Sequence, residues 1–432
     1  MIKPDSKFKK LLLAGFVIIL LLSGVKVVDK ALEDRTAFLR WDKHTESILE
    51  GETVYGEKGG KYPNLPFMLM ILIPFHAMEP VAGSIAWLLF KFAIIVFIFR
   101  SVKRVAENHG PPLPDWALFL LLVLSMRVFM SDLTHGNINL IIGGLIVCAM
   151  LCSYHQKDFL SGLSIGLATV LKVTPALFIP YFLYKRKWTS LAGSFAGIAL
   201  FCWLIPGLFL GFEFNNQLVI QWYKQMIHPF IAGMPVGYMQ TQHMNQSFTG
   251  IFYRLLSDCT AIAAEPKEGL EALKINLLSL DQKTVSLIVK GASLAVVAAL
   301  AWFCRTPRSS PKHLGHLGEF AMVFLAMLFL SERSWKHHYI LLILSHGFLL
   351  YYFLIMRPSG RRKWVPLVFT AMGIFLHTFT SSAFFGSYLS DVLEAYGVFV
   401  IGALFLFISC ASVLTVLRRE GWPDRPSIHA KT

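Results

Sequence analysis

The residues able to do chemistry lie in a few short polar stretches set among long apolar ones. His135-Gly136-Asn137-Ile138-Asn139, Lys172-Val173-Thr174-Pro175 and Ser331-Glu332-Arg333-Ser334-Trp335-Lys336-His337-His338-Tyr339 each fall at the end of an apolar segment. Polar and ionisable groups are costly within a bilayer and are functional candidates by default. In the last stretch seven of nine residues are polar or ionisable, well beyond the four or so that close a turn. A fourth stretch, Asn245-Gln246-Ser247, lies in a long polar segment, and Asp29, Glu33, Asp34, Arg35 and Asp42 cluster near the N-terminus. Carboxylates, cations and histidines beside apolar surface suit group transfer from a lipid-linked phosphate. The acceptor hydroxyl needs a general base, and the leaving phosphate needs fixed positive charge and hydrogen-bond donors. The lipid tail needs apolar surface within the membrane. Plainer readings also exist: a snorkelling amine for Lys172, and interhelical hydrogen bonds for Asn137 and Asn139.

Missing motifs narrow the chemistry. The sequence has no Asp-x-Asp pair, GxGxxG, P-loop or HExxH. Neither a metal-dependent sugar-nucleotide site nor a bound cofactor is therefore expected. His337 and His338 are adjacent and would leave a helix about 100° apart, a poor start for a shared metal. The six cysteines form no CxxC and no disulfide framework.

The elements that must position these groups are membrane spans. Of 432 residues 55% are hydrophobic and only 15% charged, whereas soluble chains are about 25% charged. Apolar segments lie near 11–28, 81–99, 116–134, 138–153, 159–175, 176–184, 189–210, 285–303, 318–330, 337–356, 364–380 and 394–417. The fold class is an all-α polytopic membrane protein with about twelve transmembrane helices, read as a single integral-membrane domain over 1–432. The run Leu65–Met78 is too short to cross comfortably and is expected to be re-entrant or tilted. Taking 1–10, 100–115, 154–158, 185–188, 304–316, 357–364 and 418–432 as inside loops collects 22 Lys/Arg against six Asp/Glu. That is the positive-inside pattern. It accounts for the net charge of +14 without nucleic acid. It also places both termini, with the basic tail 418–432, in the cytoplasm. All the polar stretches then fall on the outer side, with the long segments 29–64 and 211–284. Within the first of these, Phe38, Trp41, Thr45, Ile48 and Leu49 form an apolar stripe at helical spacing that ends at Gly51, a C-cap position. This is an expected interfacial amphipathic helix.

The chain resembles glycosyltransferase family 87, the polyprenol-phosphate-mannose-dependent mannosyltransferases of the GT-C superfamily. The matching residues are AFLRW…ILEGETVY (37–55), Tyr62-Pro63, Gly136-Asn137-Ile138-Asn139, Lys172-Val173-Thr174-Pro175, Asn245-Gln246-Ser247, and Ser334-Trp335 with His337-His338. The resemblance implies a GT-C-like fold, an outward-facing cleft, and an aspartate of the first outer loop as base. It implies a polyprenyl-phosphate sugar donor, most simply of mannose, and a lipid or glycan acceptor. The chain departs from the family pattern in carrying Ala37 where that aspartate usually stands, Asn137 for a glutamine and Asn64 for a proline.

The expected catalytic residues are Asp34, Asp42 and His337, with Asp34 preferred as base because it precedes the docked helix. Arg35, Lys172, Arg333 and His338 are expected to hold the donor phosphate. Asn137, Asn139, Asn245, Gln246 and Trp335 are expected to bind substrate. The expected place of action is the outer face of a bacterial cytoplasmic membrane. Two alternatives stay open: a polymerase or ligase using a lipid diphosphate, and a transporter or flippase. Transporters gather polar groups near the midplane between repeated halves. Here those groups collect on one side and no repeat is visible.

Overall fold

The computed structural model describes residues 6–56, 62–108, 110–232, 236–264, 271–308, 312–358, 360 and 363–419. The basic tail expected on the inner side lies outside the described residues beyond Arg419. Helix dominates, and among the described residues the only β pairing is one isolated bridge, Ile262 with Leu273. Seven helices are long and apolar enough to cross a bilayer: Lys7–Leu32, Pro80–Glu107, Asp115–His135, Trp188–Leu210, Gln282–Phe303, Lys336–Met356 and Val398–Arg419. The pair Trp364–Phe379 and Ser382–Ala395, bent by 94°, makes an eighth if counted as one span. Phe67–His76, Asn139–Tyr154, Asp158–Leu171 and Leu314–Leu330 are apolar but shorter. The expected twelve segments are thus present as helix, but not all at spanning length. The chain is an integral membrane protein.

The described residues fall into two compact units. The first takes up 5–101 and 128–234, the second 102–127 and 235–432, each in its described part.

In the first unit the expected amphipathic helix forms over Ala37–Leu49 and buries Phe38, Trp41, Thr45 and Ile48. Thr36 Oγ1 caps it by accepting from Leu39 N at 3.1 Å, satisfying one of the free amides at the helix start. Gly51, at φ +79°, takes the left-handed conformation that ends the run. The helix packs on Phe67–His76, and the Phe38 ring stacks on Trp87 with centroids 6.0 Å apart. Behind these, Asp158–Leu171 crosses Trp188–Ile198 through small residues. A Cβ at Gly162 would lie 1.9 Å from Ser190 O, so the two backbones touch there and only glycine fits.

The core of the second unit is Leu314–Leu330, in which fifteen residues are buried. A helix apolar on all sides has to be enclosed by others. Val398–Arg419 packs against it and against Trp364–Phe379. Between the apolar segments 364–380 and 394–417 a further helix forms over Ser382–Ala395. Its mixed polar and aromatic residues carry no clear apolar period, so periodicity did not reveal it.

Candidate functional site

In the first unit the site is built around the amphipathic helix. Asp42 Oδ1 lies 2.8 Å from His76 Nδ1, and the two side chains are 22% and 28% exposed. The helix fixes one partner and the end of Phe67–His76 the other, so this contact joins the two packed elements. Asp34 stands elsewhere: its backbone is left-handed, at φ +55°, and its exposed carboxylate is held by Lys43. Arg35 is likewise exposed and is paired with Glu33.

The turn after Asp115–His135 approaches the start of the same helix. Gly136 has φ +69°, and a Cβ there would lie 3.1 Å from Phe38 N; its carbonyl accepts from Trp87 Nε1 at 2.9 Å. The turn is anchored from beneath by Lys91, which is fully buried. Its ammonium donates to Asp132 Oδ1 at 3.0 Å, Asp132 O at 2.8 Å and Asn137 O at 2.9 Å, using all three protons. Asn139 Nδ2 donates to Asp132 Oδ2 at 3.0 Å, and Asn139 Oδ1 accepts from Lys172 Nζ at 3.0 Å. Lys172 itself is the extended residue that ends Asp158–Leu171, with φ −162°. Asn139 therefore forms the mount for Lys172, while Asn137 is held through its carbonyl by Lys91.

In the second unit the 331–339 stretch is held by Asn245, Gln246 and Ser247, all at 0% exposure. Asn245 Oδ1 accepts from Ser334 N at 2.9 Å, while its amide donates to Glu332 O at 2.9 Å and Gln240 O at 2.7 Å. Gln246 Nε2 donates to His243 O and Glu394 O, and its Oε1 accepts from Phe399 N. The amides of Asn245 and Gln246, expected to bind substrate, are engaged in these hydrogen bonds within the fold. Arg254, also buried, donates to the carbonyls of Thr241, Gln242, Asn245, Glu394 and Ala395. Burial draws its guanidinium down to about 10, still cationic at neutral pH.

On this frame Trp335 lies parallel to His338, with centroids 6.5 Å apart, and edge-on to His337. His338 Nδ1 accepts from Trp335 N at 3.1 Å, which places the ring proton on Nε2. His337 is buried, 3% exposed, against both rings. Trp335 Nε1 is buried without a hydrogen-bond partner among the described residues. The half-buried Arg333 guanidinium has no ion-pair or hydrogen-bond partner there either. Two unused donors thus sit two positions apart.

Sequence reasoning missed Glu394. Its carboxylate is fully buried, with Lys336 Nζ at 2.7 Å and Arg127 at 3.7 Å. Only the helical course of Ser382–Ala395 brings it inside, and no local pattern signals that. With His243 and Asp391 it forms the one trio of possible metal ligands among the described residues, their ligand atoms within 4.8 Å of one another. Lys336 and Arg127 already compensate the Glu394 charge, so a divalent ion would be driven against two cations and the trio fits a metal poorly. Burial pushes the His243 imidazole below its usual range, with Asp391 and Glu394 pulling the other way. Lys91, Asp132 and Arg254 were missed too, each a buried charge inside an otherwise apolar or polar run.

The sequence model of glycosyltransferase family 87 matches residues 62–319. A polyprenol-phosphate-mannose-dependent alpha-(1-2)-phosphatidylinositol pentamannoside mannosyltransferase of Mycolicibacterium smegmatis is 25% identical over 325 residues, covering 72% of this chain and 66% of that protein. Its namesake from Mycobacterium tuberculosis is 26% identical over 324 residues, 72% of this chain and 63% of its own. The chain thus spans just under two thirds of the length of these relatives. An alpha-(1->3)-arabinofuranosyltransferase of Corynebacterium glutamicum is 33% identical over 98 residues, 21% of this chain and 23% of that one. Among solved structures, ArnT from Cupriavidus metallidurans bound to undecaprenyl phosphate aligns over 94% of this chain and 78% of its own. The identity is 13% and the TM-score 0.36, too low to bear on the fold.

Proposed function

Since the chain belongs to glycosyltransferase family 87, we propose that it is an inverting, metal-independent membrane transferase. It moves a sugar, mannose, from a polyprenyl-phosphate donor to a hydroxyl of a lipid or glycan acceptor on the outer face of the bacterial cytoplasmic membrane. The observation that carries the chemistry is the Asp42–His76 pair. It supplies a partly sheltered carboxylate oriented by a ring nitrogen, at the exposed edge of an amphipathic helix. Asp42 takes the acceptor proton as the acceptor oxygen attacks the anomeric carbon. The bond from that carbon to the phosphate oxygen breaks, and polyprenyl phosphate leaves. One displacement inverts the anomeric centre.

Lys172, on its Asn139 mount, offers charge to the departing phosphate within the first unit. In the second unit Arg333, His338 and the Trp335 N–H are donors suited to phosphate or sugar oxygens, and His337 supports their rings. Asp34 and Arg35, engaged by Lys43 and Glu33 on the exposed side, take no direct part. Mannose and the polyprenyl donor are supported by the names of the two mycobacterial relatives. The outer-face assignment rests on the positive-inside charge count.

The test is stereochemical. Purified protein in EDTA, given polyprenyl-phosphate mannose and extracted membrane lipids, should yield a mannoside whose anomeric configuration by NMR is opposite to that of the donor. Retained configuration, or activity abolished by EDTA and restored by a divalent ion, would overturn the proposal.

A further inference from the structure

The second unit contains a cavity of about 360 Å³ that none of the roles above uses. Its size lies within the range of about 300–1,000 Å³ typical of small-ligand sites. Tyr238, Tyr253, Asp258, Thr260, Asp281 and Gln282 line it. We infer that this cavity is a subsite for a neutral, polyhydroxylated ligand, the sugar headgroup of the acceptor; naming it the acceptor's rests on the transferase reading.

The chemistry of the wall selects that class. Among the described residues two carboxylates line the cavity and no Lys, Arg or His does, an arrangement that disfavours a phosphate or other anion. The donor's leaving group therefore does not belong here. A hydroxylated ring needs donors and acceptors in alternation, and these are on offer. The Tyr238 hydroxyl accepts from Ala263 N at 3.0 Å and keeps its proton to donate. Gln282 Oε1 accepts from Val236 N at 3.2 Å, while its Nε2 has no partner among the described residues. Asp258 gives one oxygen to Lys274 at 2.7 Å and keeps the other. Tyr238 also turns 43% of its surface outward, leaving a ring face to cover an apolar sugar face.

Position supports the acceptor. Thr241 lines the cavity, and its neighbour Gln240 donates to Glu332 Oε1 at 2.7 Å. The next residues reach His243, beside Asp391 and Glu394. The wall thus continues, within one unit, into the 331–339 stretch that carries Arg333 and Trp335.

Direct binding tests this without catalysis. The full chain is placed in lipid nanodiscs, because maltoside detergents carry a competing sugar. Methyl mannobioside and mannose 6-phosphate are then titrated by saturation-transfer NMR. The neutral disaccharide should bind saturably and the phosphorylated sugar should not. Tyr238→Ala and the near-isosteric Gln282→Glu should each weaken disaccharide binding roughly tenfold or more, the loss of one strong contact. Absent saturation, equal binding of the phosphorylated sugar, or unchanged affinity in both variants at unchanged melting temperature would overturn the subsite. Transfer from the polyprenyl donor is measured in parallel. Intact transfer with unaltered binding counts against the subsite alone, while binding without transfer sustains the subsite and counts against the transferase reading.

Discussion

Asp34 and Asp42 have different work to do. The first neutralises Lys43 at the surface from a strained left-handed backbone, and the second holds a histidine at the seam of two packed helices. A positioned general base contributes roughly 10²–10⁴-fold, so Asp42→Asn should lose that order of turnover while donor binding persists. Asp34→Asn should stay within a few-fold of wild type, since an exposed ion pair contributes only about 0–1 kcal/mol. An inactive Asp34 variant beside an active Asp42 variant in the same assay would reverse the assignment. Sequence spacing had favoured Asp34, because a loop residue ahead of a docked helix can point beneath it. What favours Asp42 in our proposal is His76, a partner from another element that no local pattern announces. Similarly, Asn139, Asn245 and Gln246 were legible as important polar residues. That they hold other groups became visible only when their partners, Lys172, Ser334 and Phe399, were in place.

Among the elements, the amphipathic helix was legible: Phe38, Trp41, Thr45 and Ile48 of its stripe are buried and Gly51 ends it, although Leu49 of the same stripe is exposed. Apolar periodicity and burial there follow from the same side chains. The helix Ser382–Ala395 was not legible, since it turns 94° from its neighbour and carries Glu394 inward against the local polarity. Close helix crossings are also set by backbone contact that composition alone does not reveal. Gly162 is the clearest case, because a β-carbon there would overlap Ser190 O and the backbone behind it. Gly162→Val should force apart Asp158–Leu171 and Trp188–Ile198. Overpacking of this kind costs about 1–3 kcal/mol or more, read as a lower melting temperature in detergent. Since Lys172 ends the first of these helices, donor affinity should weaken with it. A variant with wild-type melting and wild-type donor affinity would show that the crossing does not hold the lysine in place.

For the molecule as a whole, membrane class was readable from composition, because burial in lipid acts on the entire chain. Division into two compact units was not, since each unit joins segments far apart in sequence. The charge count puts 29–64 outside and 185–188 inside. With the six native cysteines replaced, Ser47→Cys should react with an impermeant maleimide in intact cells and Arg186→Cys only after permeabilisation. The opposite labelling would turn the assigned outer site to the cytoplasm. The most direct measurement is transfer itself. Purified protein is incubated with polyprenyl phosphate carrying radiolabelled mannose and with acceptor lipids. Label should pass to the acceptor as free polyprenyl phosphate accumulates, with Asp42→Asn blocking both. Label that stays on its donor while the lipid changes leaflet in proteoliposomes would instead make the protein a flippase and contradict the transferase assignment.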